Sequence, residues 1–153
     1  MDTIGDLPAP PLLVHASVVL TPLTAVLTIL CAVWTAARER LVWLTLALSV
    51  TTVILTPFAI EAGEALIHQL PKNPVLREHA ELGDTAIFFV IGLFVVSLAV
   101  AVLHRWGTWL GDREKLARVV VAVLAVVVGV ATIYQIVRIG HTGARAVWGD
   151  FSL

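Results

Sequence analysis

The stretch 119–137, VVVAVLAVVVGVATIYQIV, runs between Arg118 and Arg138 without a single charged residue. At ~1.5 Å of rise per residue, a helix of about 20 residues crosses the ~30 Å hydrocarbon core of a bilayer. The segment reads as a membrane span. Working outward, the runs 12–37, 41–60 and 85–103 have the same apolar character. With their polar ends included, the spans are expected at about 12–37, 41–69, 80–104 and 114–141, within a single membrane domain covering 1–153. Helices that face lipid are apolar all round, so length and lack of charge decide these assignments rather than periodicity. The expected fold is all-α, a four-helix transmembrane bundle.

Composition agrees. Hydrophobic residues make up 59% of the chain and charged residues 14%, against roughly 45–50% and 25% in soluble domains. The formal net charge of -1, without a basic patch, argues against a nucleic-acid partner. Cys31 is the one cysteine and sits in an apolar run, so it reads as packing and says nothing of redox compartment. The first run follows an acidic, proline-rich start (Asp2, Asp6, Pro8, Pro10, Pro11) and is too long for a signal-peptide core, which predicts a retained helix.

Basic residues orient the spans. Arg38, Arg40, Arg105, Arg113, Lys115 and Arg118 flank the first and third connections, and Lys72, Arg77, Arg138 and Arg145 lie at the opposite side. The bias places both termini outside the cytoplasm, in a multi-pass protein of the inner (cytoplasmic) membrane. Trp34, Trp43, Trp106 and Trp109 then form an aromatic belt at the inner interface, with Trp148 and Phe151 as an outer anchor.

Counting outward from the basic ends puts the polar residues on one ruler. His15 is 23 residues from Arg38, Glu64 is 24 from Arg40, His79 is 26 from Arg105 and His141 is 23 from Arg118. At ~1.5 Å per residue these four share one depth to within about 5 Å, one from each helix. Glu61, Asp84 and Arg138 form a slightly deeper set, at 21, 21 and 20 residues. Pro22 and Pro57 lie 16 and 17 residues from the same basic ends, where paired kinks would splay the outer half into a cavity.

Several short motifs now stand together: Leu13-Val14-His15, Glu61-Ala62-Gly63-Glu64, His79-Ala80-Glu81-Leu82-Gly83-Asp84, and Arg138-Ile139-Gly140-His141-Thr142-Gly143-Ala144. In these the chain resembles the bacterial membrane family catalogued as domain of unknown function 2231, from the first helix to Trp148. The resemblance implies a four-helix membrane domain. Some relatives are joined to Rieske iron-sulfur domains, which implies redox work. No Rieske cysteine and histidine pattern occurs in this chain, so a redox partner would be a separate protein, and the family carries no established reaction.

The residues themselves support four readings. Imidazoles and carboxylates on facing helices suit a transition metal such as Zn, Fe, Mn or Cu, with His15, Glu64, His79 and His141 as ligands and Glu61, Asp84 and Arg138 supporting them. A single b-type haem on two of His15, His79 and His141 is the alternative, which the many acids oppose. Ion transport would need a path of ionisable groups, and the inner half of every span has none. The fourth reading is a structural membrane subunit, with His15 and His141 at the interface, Glu64 beside His68, and Arg138 neutralised by Glu61 or Asp84. No nucleotide-binding glycine loop, nucleophile elbow, Cys-x-x-Cys or His-Glu-x-x-His occurs, so enzymatic activity is neither argued nor excluded. A faint repeat pairs His15-Ala16 with His79-Ala80 and Glu61-x-Gly63 with His141-x-Gly143.

Overall fold

The computed structural model describes residues 3–4, 7–69 and 73–148, with side chains omitted at the N-terminus through residue 13 and at Val147. Asp2, Asp6, Lys72 and Phe151 lie outside the described residues. Apart from a two-residue antiparallel pairing of β1 (Thr3–Ile4) with β2 (Leu7–Pro8), the elements are helical. They are α1 (Ala9–Val33), α2 (Thr35–Ile67), α3 (Pro74–Asp84), α4 (Ala86–Trp106), a 3-10 segment (Gly107–Arg113) and α5 (Glu114–Trp148). Among the described residues, three stretches are long and apolar enough to cross a membrane: Val14–Val33, Thr35–Ile67 and Pro74–Ala146, the last one bent through the 3-10 segment.

The boundaries differ from the expected spans in two places. Arg38, Glu39 and Arg40 do not form the first connection, because the helix breaks earlier, at the extended Trp34. The physical reason is a cap: from the first turns of α2, Arg38 Nε and Nη2 donate to the carbonyls of Cys31 and Ala32 at 2.7 and 2.6 Å. Those are orphan carbonyls at the end of α1, and the guanidinium satisfies them. The span expected from residue 80 is likewise two helices. α3 starts on an Asn73 cap, whose side chain accepts from the Val75 N–H at 2.9 Å, with Pro74 in the first turn. It ends at Thr85, where α4 begins.

Pro22 and Pro57 lie inside α1 and α2, and both helices run through them.

The interior is built from small and hydroxyl-bearing residues. Thr21, Thr24, Thr28, Thr45, Ser49, Thr52, Thr56, Ser97 and Thr132 are buried beside Ala25, Cys31, Ala32, Val42, Leu93 and Val100. Large apolar side chains point outward instead, as in Val19 (62% exposed), Phe88 (72%) and Val127 (59%). Exposed oil around a polar-tinged interior inverts the soluble pattern and fits a lipid solvent. Small side chains let helix backbones approach, which is how helices associate where no hydrophobic drive exists between them. Most hydroxyls return to their own helix, as Thr28, Thr56 and Thr132 do by donating to the carbonyl four residues back. In the core, Thr28 Oγ1 and Ser97 Oγ join α1 to α4 at 2.8 Å, and Cys31 Sγ lies 3.5 Å from Thr45 Oγ1 between α1 and α2.

The buried positions also repeat. Thr21, Thr24, Thr28, Cys31 and Ala32 on α1 match Val90, Leu93, Ser97, Val100 and Ala101 on α4 at a constant sequence offset, all buried. On α2, Arg38, Thr45, Ser49 and Thr52 match Arg118, Ala125, Gly129 and Thr132 on α5 at a second constant offset. The Thr28–Ser97 contact joins two matched positions. Each hairpin packs the same way: α1 lies against α2 and α5, and α4 lies against α5 and α2. The second offset also carries Glu61 to His141 and Gly63 to Gly143, as the sequence repeat has it. The first offset does not carry His15 to His79; it carries His15 to Asp84, at the end of α3. The offsets differ because the first hairpin turns at Trp34, whereas the second adds the 3-10 segment Gly107–Arg113.

Candidate functional site

α3 is the amphipathic element of the fold, and the polar residues that meet do so where it touches α5. His79 Nδ1 lies 3.2 Å from Thr142 Oγ1. The Thr142 hydroxyl also sits 3.0 Å from the Ile139 carbonyl and 3.2 Å from that of Arg138. A hydroxyl has one proton. If it goes to the nearer carbonyl, the Nδ1–H of His79 donates to Thr142 Oγ1, and Nε2 is left with its lone pair. The ring packs on Gly143, where a Cβ would meet His79 Cε1 at 3.0 Å. Glycine at that position gives the imidazole room without a neighbour having to give way.

A second bond lies about two turns along α5. Gln135 is 4% exposed and its Nε2 donates to Thr85 Oγ1 at 2.6 Å. Thr85 in turn donates to the Leu82 carbonyl at 2.6 Å. Gln135 Oε1 accepts from Arg138 Nη1 at 3.4 Å, and the same guanidinium lies over the Tyr134 ring, 5.9 Å from its centroid. Gln135, Arg138 and Thr142 thus form one polar stripe on α5, at the helical spacing that shares a face. Their bonds fasten α3 at its middle and at its junction with α4.

The depth layer expected from sequence does not converge into this stripe. His15, Glu61, Glu64, Asp84, Arg138 and His141 are exposed, and His79 is half-buried. Among the described residues, no three His, Cys, Asp or Glu side chains gather as a metal-holding group. His79 meets Thr142 and Gly143 rather than the neighbouring His141, since consecutive residues on a helix point about 100° apart. Arg138 is met by Gln135 and Tyr134 instead of Glu61 or Asp84. On α3 the ion pair is Arg77 with Glu81, at 2.8 Å and exposed. Sequence reading missed Thr85, Gln135 and Thr142. The signal was there in Gln135, an amide within an otherwise apolar span, which needs a partner wherever it is buried.

Long apolar helices with an exposed oily surface and a hydroxyl-lined interior define a helical membrane protein. The chain belongs to the family described as predicted membrane protein (DUF2231), whose model matches residues 6–151. Neither a curated protein nor a solved structure matches it significantly.

Proposed function

We propose that the chain is a structural subunit of the inner (cytoplasmic) membrane that crosses four times, on α1, α2, α4 and α5, with both termini extracytoplasmic. Its polar end holds α3 flat against the membrane domain as an assembly platform. The observation that carries this reading is the pair of interhelical bonds, His79–Thr142 and Gln135–Thr85, which spend the buried polar groups of that end on fastening a helix. The exposed carboxylates and imidazoles around it remain at the surface, where a partner chain would meet them. The basic end, with Trp34, Trp106 and Trp109 exposed, supports the orientation.

A transition-metal site is the second reading. It is favoured by one feature: the Nδ1–Thr142 contact orients the His79 ring, and with the Thr142 proton on the Ile139 carbonyl it leaves Nε2 as the lone-pair nitrogen, the arrangement a metal-ligating imidazole needs. His15, Glu64 and His141 would supply the other ligands, with Glu61, Asp84 and Arg138 behind them. Zn, Fe, Mn and Cu fit that donor set, haem b fits it less well, and a separate redox partner would follow only from a redox metal.

Elemental analysis and an absorption spectrum of the purified protein, together with His79→Ala and Thr142→Val, separate the two. The structural reading expects substoichiometric metal, no Soret band, and faster proteolysis between α2 and α4 in both variants. Stoichiometric metal that His79→Ala removes would overturn it.

A further inference from the structure

The basic end of the protein carries a feature that the assembly reading does not use. An open groove of about 530 Å³ runs between α4 and the start of α5, walled by Val102, Leu103, Leu116, Val120 and Val121. The 3-10 segment closes its end with Leu110 and the stem of Arg113. The segment that closes it belongs to the second hairpin, whereas the first turns at Trp34 without an insertion. Gly111 makes the insertion possible. Its φ of 52° and ψ of −126° are open to glycine and strained for other residues, and they swing the chain so that Arg113 directly precedes α5.

The charges at this end are unequally partnered. Arg118 is held by Glu114 at 2.7 Å and donates to the Leu103 carbonyl at 3.2 Å. Gly107 packs against that pair, where a Cβ would meet the Arg118 guanidinium at 3.1 Å. Arg113 and Arg38 have no carboxylate within ion-pair distance among the described residues. Arg38 is spent on two carbonyls, and it lines a smaller cleft with Arg118 that shares Leu103 and Val121 with the groove. Arg113 is thus the one charged residue that lines the groove, and it has no ion pair among the described residues.

An apolar channel open to the side, ending at an arginine without an ion pair, at the end of the fold that carries the exposed Trp106 and Trp109, has the two-part chemistry of a phospholipid. We propose that this groove binds an anionic phospholipid, one acyl chain lying along Val102, Leu116 and Val120 and the headgroup phosphate on Arg113. The arginine fork matches phosphate oxygens. The inference rests on the membrane placement of α4 and α5 proposed above.

The test reconstitutes the full chain, with Trp34, Trp43 and Trp148 changed to Phe, into phosphatidylcholine vesicles. Quenching of the two remaining tryptophans is compared for brominated phosphatidylglycerol and brominated phosphatidylcholine. Phosphatidylglycerol should be preferred about five-fold, on the scale of one arginine near a membrane surface. In Arg113→Gln the preference should fall to unity, with the helical circular dichroism unchanged because Arg113 is exposed. Ala99→Phe, which fills the groove and keeps the charge, should reduce quenching by both lipids.

Equal quenching by the two lipids, or a preference that survives Arg113→Gln, would overturn the proposal. So would displacement by soluble glycerol phosphate, which would make the site one for free phosphate. Failure of both lipids to quench would instead refute the membrane placement of α4 and α5, and the lipid site with it.

Discussion

At Gly129 α1 comes close against α5, which allows a sharp test of the packing. A Cβ added there would sit 2.7 Å from Ile29 Cδ1, 2.8 Å from Ile29 Cγ1 and 3.4 Å from the Ala25 carbonyl oxygen. Carbon atoms rest at about 3.5–4.0 Å, so Ile29 has to move by roughly 1 Å. An isoleucine on a helix has one strongly preferred χ1 and cannot simply swing away. Overpacking of this kind costs about 1–3 kcal/mol. Replacing glycine by alanine within a helix returns up to about 1 kcal/mol. Gly129→Ala should therefore destabilise the protein by about 1 kcal/mol, a fall of ~2–4 °C in Tm for a chain of this size.

In an Ile29→Ala background the clash is gone, and the same substitution should be neutral or stabilising. Cys31 supplies the assay, since it is the one cysteine and fully buried, so a thiol-reactive dye reports unfolding in detergent. The coupling between the two sites should reach about 1–3 kcal/mol. If Gly129→Ala costs the same with and without Ile29, the α1–α5 contact is not what it meets, and the packing account is wrong.

Other perturbations follow from the same contacts. Thr28→Val and Ser97→Ala should each cost little, with a coupling of about 0.6 kcal/mol in a double-mutant cycle if their hydroxyls meet across the two hairpins. Arg38→Met strips the donors from the Cys31 and Ala32 carbonyls and should cost about 1–3 kcal/mol while accelerating dye labelling of Cys31, whereas the exposed Arg40→Met should stay within about 0.5 kcal/mol. Gln135→Leu should loosen α3, read as faster hydrogen exchange from Leu82 to Thr85 with the rest of α4 unaffected. Gly111→Ala should destabilise by about 1–3 kcal/mol because of its positive φ, while Gly63→Ala, with nothing within 4 Å of the new methyl, should be neutral or gain up to about 1 kcal/mol in the same thermal assay.

The sequence by itself determined that the chain is helical and apolar enough for a membrane, because length and absence of charge are properties of a segment and need no neighbour. The expectation of a common depth for His15, Glu64, His79 and His141 also came from the sequence, because rise per residue is fixed as long as each helix runs unbroken. Depth is only one coordinate. Rotation about the helix axis decides which side chains meet, and spans that are apolar all round carry no moment from which to read it.

The tertiary structure supplied that rotation through the hydroxyl and small-residue faces, where Thr28 meets Ser97 and Gly129 admits Ile29. It turned His141 away from His79 and put Thr142 there instead. It also broke the chain at Thr85, so that His79 and Asp84 stand on a helix of their own, off the ruler that counts from Arg105. Arg38 moved from a loop into a cap for the same reason: an unsatisfied carbonyl at the end of α1 can be seen only once α2 folds back beside it.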